Sequence, residues 1–147
     1  MITNAAIIKG LGLPIGDIPV ARIDSAVMEA EMAVVKPAIG DANYIALYDE
    51  TGNWMNGGVV TDAAGNSRYV AGFANAISYI AYAHLLRHNL VATVFGTVQK
   101  QDEHSVHPDP WEEAKYYFTE GWQMLRDCCA AKGWPIINNT NYYTRTI

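Results

Sequence analysis

The chain has 147 residues, half of them hydrophobic and only 17% charged, with a formal net charge of −5. That length fits one domain with a conventional core, and that composition excludes an intrinsically disordered chain. The acidic balance excludes a phosphate-neutralising surface of clustered Lys and Arg, but it suits the wall of a passage to which DNA must not stick.

In chain order, the first predicted element is a short helix over "AAIIKGL", capped by Thr3 or Asn4 and ended by Gly10 and Gly12 ahead of Pro14. The stretch "MITNAAIIKGLGLP" has no charged leader and no long apolar run, so it does not read as a signal peptide. After "PIGDIP" a second helix is predicted over residues 20–36, where Ile23, Val27, Ala30 and Val34 make one buried stripe. Pro37 ends or kinks it. A short helix follows, with Asp41 as N-cap and Tyr44, Ile45, Leu47 and Tyr48 as its apolar side.

Residues 50–67, rich in Gly and Asn, form an irregular connection, within which "VVT" and "RYV" around "DAAGN" fit a small hairpin or ordered loop. A long helix is predicted over residues 69–89, with Phe73, Ile77, Ile80 and His84 on one side and Tyr79, Tyr82 and Leu86 covering much of the rest. Its first eighteen residues carry no Asp, Glu, Lys or Arg, close to the length of a membrane span. Gly72, Asn75, Ser78, His84 and the tyrosines instead fit a helix central to a core or an oligomer, and no membrane contact is expected.

The stretch "FGTVQKQDEHSVHPDP" opens like a strand. Alternation at Val94, Thr97 and Val98 predicts an extended arm or β-hairpin over residues 93–100, reaching for a partner. The clearest helix comes next, residues 110–132. Asp109 is its N-cap, Pro110 takes the tolerated first position, and Glu112 and Glu113 face the positive end. Ala114, Tyr117, Phe118, Trp122, Leu125 and Cys129 form its apolar face, Lys132 and Gly133 end it, and Pro135 blocks continuation. Cys128 and Cys129 diverge on that helix, which is poor geometry for a disulfide, so they read as buried thiols of a protein made in a reducing cytoplasm. The tail "IINNTNYYTRTI" has no helical period and reads as an extended segment lying on a neighbour.

Candidate chemistry is thin. His84 and His88 stand four apart, but "HLLRH" lacks the glutamate of the HExxH zinc motif and Arg87 repels a cation. His104 and His107, with Asp102, Glu103 and Asp109, lie in a polar loop with no further ligand at standard spacing. Ser105 beside His104 is no triad signal, and no phosphate-cradling glycine loop is present. Glu112 and Glu113 diverge as neighbours, and Glu29 and Glu31 fall on different faces. No catalytic, cofactor-binding or metal-binding residue is assigned, and an enzyme is not expected.

Two stretches carry a resemblance. "MEAEMAVVKPAIGDANYIAL" resembles a pattern in head–tail connector (adaptor) proteins of tailed bacteriophages, including crAss-like and other phages of Bacteroides-type bacteria. The match falls on Ala30, Glu31, Lys36, Pro37, Ile39, Gly40 and Tyr44. "GFANAISYIAYAHLLRHNLVATVFGTVQKQDEHSV" is similar to the family's Tyr/Ala-rich helix and following segment, at Tyr79, Tyr82, Ala83, Phe95, Gly96, Val98, Lys100 and Ser105. With the final helix, the likeness covers roughly residues 20–131, and its motifs are packing residues rather than a chemical signature.

The resemblance implies a mainly α virion structural protein, made in the host bacterial cytoplasm and placed at the head–tail interface. It implies a homo-oligomeric ring, commonly a dodecamer, docked beneath the portal protein. Such a ring extends the DNA channel and offers a platform to the next neck or tail ring, with no cofactor. The helices at residues 20–36, 69–89 and 110–132 would then form the bundle of a single domain, with a core over about 20–132 and an extended tail over 133–147. Expected interface residues are Phe95, Thr97, Val98, Gln99 and Lys100 in the arm, and Tyr142, Tyr143 and Arg145 in the tail. Two other readings stay open: a small metal-dependent hydrolase using His84, His88, His104 and His107, and a monomeric helical regulatory module.

Overall fold

The computed structural model describes residues 2–13, 15, 18–88 and 110–137. Its elements are α1 (Ala5–Gly10), α2 (Val20–Ala30), a π-helical turn (Glu31–Val35), α3 (Lys36–Ile39), α4 (Asp41–Leu47), α5 (Asn53–Asn56), β1 (Gly58–Thr61), β2 (Ser67–Val70), α6 (Phe73–Arg87) and α7 (Pro110–Lys132). The fold is mainly α, as expected, with one two-stranded antiparallel sheet among the described residues. That sheet precedes α6. The arm expected over residues 93–100 lies outside the described residues, as does the tail beyond Ile137.

Local chemistry explains most boundaries. Asn4 caps α1 by accepting from the backbone N–H groups of Ala6 (2.9 Å) and Ile7 (3.2 Å). The second helix does not stop at Pro37. It loosens into the π turn, where the Lys36 N–H reaches five residues back to the Glu31 carbonyl, and Pro37 then sits in the first turn of α3, where a missing donor is tolerated. Gly40 takes a φ of 88° and occupies the N-cap position of α4. Asp41 is therefore the first helical residue and not the cap, placed where its charge meets the positive helix end. Of the four residues expected on the inner side of α4, Tyr44 and Leu47 are buried. Ile45 and Tyr48 are 65% and 53% exposed, because a seven-residue helix buries only a narrow stripe.

The long helix starts at Phe73, four residues later than predicted, and Tyr69 belongs to β2. The reason is a backbone crossing that hydropathy does not register. Gly72 has a φ of 97°, and a Cβ placed on it would lie 2.5 Å from both the Gly57 nitrogen and the Met55 carbonyl oxygen. Only glycine permits that turn and that approach together.

α6 is the centre of the molecule, buried along nearly its whole length, and its most extensive contact is with α7. The predicted stripe of Phe73, Ile77, Ile80 and His84 is buried. Against it α7 presents Ala114, Phe118, Leu125, Cys128 and Cys129, all buried. Each large apolar side chain so enclosed contributes about 1.5–3 kcal/mol. The helices meet closely at Gly121, where a Cβ would fall 2.8 Å from Ile80 Cγ1 and 2.9 Å from the Ala76 carbonyl oxygen. The core also takes in Ala5 and Ile8 of α1, so it begins earlier than residue 20. Among the described residues, no helix is long and apolar enough to cross a membrane.

The predicted stop of α7 is met in detail. Gly133 turns at φ 78°, its N–H reaches the Ala130 carbonyl (3.2 Å), and the Trp134 N–H reaches that of Cys129 (2.8 Å). This is a Schellman end. The sheet is fastened to it, since the Ala63 N–H donates to the Ala131 carbonyl at 2.8 Å.

Candidate functional site

Three places on the described surface and interior combine polar chemistry with defined geometry. The first is a buried carboxylate at the head of the π turn. Glu31 is fully enclosed, accepts from the Ile2 N–H at 2.7 Å, and receives the Tyr44 hydroxyl at 2.5 Å. Tyr44 in turn lies 3.4 Å from the Tyr48 hydroxyl. Burial, then the bond to Glu31, raises the Tyr44 pKa well above that of an ordinary phenol, so this side chain is a fixed donor. Beside it the Thr3 hydroxyl meets that of Ser78 at 3.2 Å, while Ser78 also bonds the Ala74 carbonyl at 2.7 Å. These contacts pin the N-terminal segment to the π turn and α6, and through Glu31 to α4. Their donors and acceptors serve one another, which is the signature of a structural network and not of a reactive site.

The second place joins α2 to the end of α6. His84 on α6 and His88 at its C-cap both face the Glu29 carboxylate, His84 Nδ1 at 3.9 Å and His88 Nε2 at 3.8 Å. His84 is fully buried. Burial lowers its pKa from 6.5 to about 4, against the opposing pull of Glu29, so the ring is neutral at pH 7. Among the described residues, no group of three or more His, Cys, Asp or Glu side chains could hold a metal ion. His104 and His107 lie outside the described residues. Burial pushes the thiols of Cys128 and Cys129 up to about 11 and 12, which leaves them protonated and without nucleophilic character at neutral pH.

The third place is the sheet. Asp62 and Asn66 close its turn, with the Asp62 N–H donating to the Asn66 carbonyl at 2.8 Å and the Asp62 carboxylate receiving the Ala64 and Asn66 N–H groups. The register pairs Val59 with Tyr69 and Thr61 with Ser67 on the outward face. Val60 and Val70 are buried beneath, while Val59 and Tyr69 are 61% and 75% exposed. The outward face is therefore uncharged, with two large apolar side chains standing side by side in water.

None of the interface residues expected from the sequence falls here. Phe95, Thr97, Val98, Gln99, Lys100, Tyr142, Tyr143 and Arg145 all lie outside the described residues. The hairpin expected from "VVT" and "RYV" around "DAAGN" is present and supplies the Val59–Tyr69 pair, although the long helix predicted from residue 69 overlapped it. Comparison with protein-family models, with curated proteins and with solved structures finds no match for this chain.

Proposed function

We propose that this protein is a virion structural subunit, one member of a head–tail connector ring docked below a phage portal. In this reading the ring is a closed homo-oligomer, commonly a dodecamer. It extends the DNA channel, presents a platform to the next neck or tail ring, and acts without catalysis or cofactor. Synthesis takes place in the host bacterial cytoplasm. The sequence resemblance over residues 20–131 is the source of the reading. The structural observation that supports it most is the uncharged, exposed Val59–Tyr69 face on a chain of low charge content. Adjacent apolar side chains of this kind are what a shared surface offers. In a closed ring, one face of each subunit meets a different face of the next. The net charge of −5 keeps the passage from binding DNA.

The test is to mix the full chain with the portal protein encoded in the same genome and to measure particle images and native mass. A closed ring seated on the portal is expected. A chain that stays monomeric in the presence of assembled portal overturns the reading. Deleting residues 95–106 is expected to abolish ring assembly or docking, and unchanged assembly would sink the role given to that segment.

A further inference from the structure

The two edges of the sheet are not alike, and the difference extends the ring reading on which this inference rests. The bond across Asp62 and Asn66 sets the alternation of the ladder, so Val60–Arg68 and Gly58–Val70 are the pairs that exchange hydrogen bonds. Val59 and Thr61 then turn their backbone groups to the outer edge of β1, and Ser67 and Tyr69 turn theirs to the outer edge of β2. The β1 edge is blocked, because Asn53 Nδ2 donates to the Val59 carbonyl at 3.0 Å and α5 packs beside the strand. Among the described residues, no hydrogen bond reaches the outward groups of Ser67 or Tyr69. This strand carries no lysine, proline or bulge; its one charged residue, Arg68, lies on the inner face with Val70, the face toward α7, and leaves the outward edge groups uncovered.

A candidate occupant follows Ile137 in the sequence. The chain passes the start of α6 at Trp134, whose ring lies 5.6 Å from that of Phe73. It is then carried on to α3, where the Ile137 N–H donates to the Ala38 carbonyl at 2.7 Å. Residues 138–147, "NNTNYYTRTI", contain no glycine or proline and are rich in Thr and Tyr, which favour strands. Ten extended residues reach about 33 Å, enough to leave one molecule and lie along another. Tyr142 and Tyr143 are adjacent, so they fall on opposite faces of a strand, and one of them shares the outward face with Tyr69 in any register.

We infer that residues 138–147 of one copy add as a third strand to the β2 edge of the next copy. Each subunit then gives one tail and receives one, a head-to-tail exchange that a closed ring satisfies completely. Pairing would satisfy the outward groups of Ser67 and Tyr69 and cover the exposed tyrosine.

The test titrates the full chain, at low protein concentration, with an excess of a peptide of residues 138–147 and follows the amides by NMR. The Ser67 and Tyr69 amides are expected to shift saturably and to gain protection from exchange. Tyr69→Pro removes an N–H that the β1–β2 ladder does not use, and it is expected to weaken the peptide by about tenfold or more. Ser67→Pro is the second variant should that one fail to fold. In the full chain, protection of the same amides is expected to rise with protein concentration. Shifts away from β2, no shift, or undiminished affinity in both proline variants each overturn the inference. Protection independent of concentration also overturns it, because the tail is then folding onto its own sheet. A ring on the portal without peptide binding sinks this inference alone, whereas peptide binding without any ring sinks the connector reading.

Discussion

α6 meets its neighbours in two different ways. Toward α7 the seam is tight and largely dry, with Gly121 against Ile80 and the buried thiols of Cys128 and Cys129 alongside. Toward α1 and α2 it encloses polar groups: Ser78 on Thr3, Glu31 close by in the π turn, and His84 facing Glu29. A dry seam is specified by shape, and it answers to changes of volume. A polar seam is specified by pairing, so removing one partner leaves another stranded in a low dielectric.

That contrast can be broken from either side. The largest effect is expected from Glu31→Ala, which strands the Tyr44 hydroxyl and the Ile2 N–H at about 1–3 kcal/mol each and leaves a void, for roughly 3–5 kcal/mol in urea unfolding. Faster amide exchange at Ile2 and Thr3 should accompany it. A loss below 1 kcal/mol would mean that the polar seam does not specify this corner.

Acid comes next. His84 is held neutral with a folded-state pKa near 4 against 6.5 in the ordinary state. As pH falls below about 6.5 the unfolded chain takes up a proton that the folded chain refuses. Stability is therefore present in full above that pH and drains away toward pH 4, by up to about 3 kcal/mol. His84→Gln should flatten this slope relative to the parent chain. Parallel slopes in the two proteins would remove His84 from the account.

Gly121→Val tests the dry seam, with an expected loss of about 1–3 kcal/mol from overpacking against Ile80 and the Ala76 backbone. Tyr69→Ser is the smallest, within about 0.5 kcal/mol in thermal or urea unfolding, since the ring stands in water. Its effect should appear in assembly on the portal instead.

The sequence was most legible where several local signals coincide. Pro110, Glu112, Glu113 and Gly133 mark both ends of α7, and the structure places them there. It was least legible where a single glycine decides. The charge-free run through Tyr69 reads as continuous helix, because hydropathy does not record that Gly72 and Gly57 lie backbone against backbone. Glu31 was invisible for another reason: a carboxylate on a helix reads as solvated unless its donors are known. Two of those donors come from Ile2, 29 residues earlier in the chain, and Tyr44, 13 residues later. As for function, the interface residues chosen from the sequence lie in stretches outside the described structure, while the Val59–Tyr69 face lies on the hairpin expected from "VVT" and "RYV", whose alternation gave no sign of which face stays in water.

The π turn has one more consequence. In a regular helix each residue advances about 100°, so positions four apart drift by about 40° and an inward row soon spirals away. Through Glu31–Val35 the rows Ala30, Val34, Ala38 and Glu31, Val35, Ile39 nevertheless all stay buried. The wide turn acts as a phase correction, holding two inward rows in step across the change from α2 to α3. Winding the same five residues into a regular α-helix, with none removed, would add one residue's advance and swing everything beyond by about 100°. Gly40, with Ile137 seated on it, would then face the wrong way. A local irregularity of five residues thus sets the bearing of both α4 and the departing C-terminal segment.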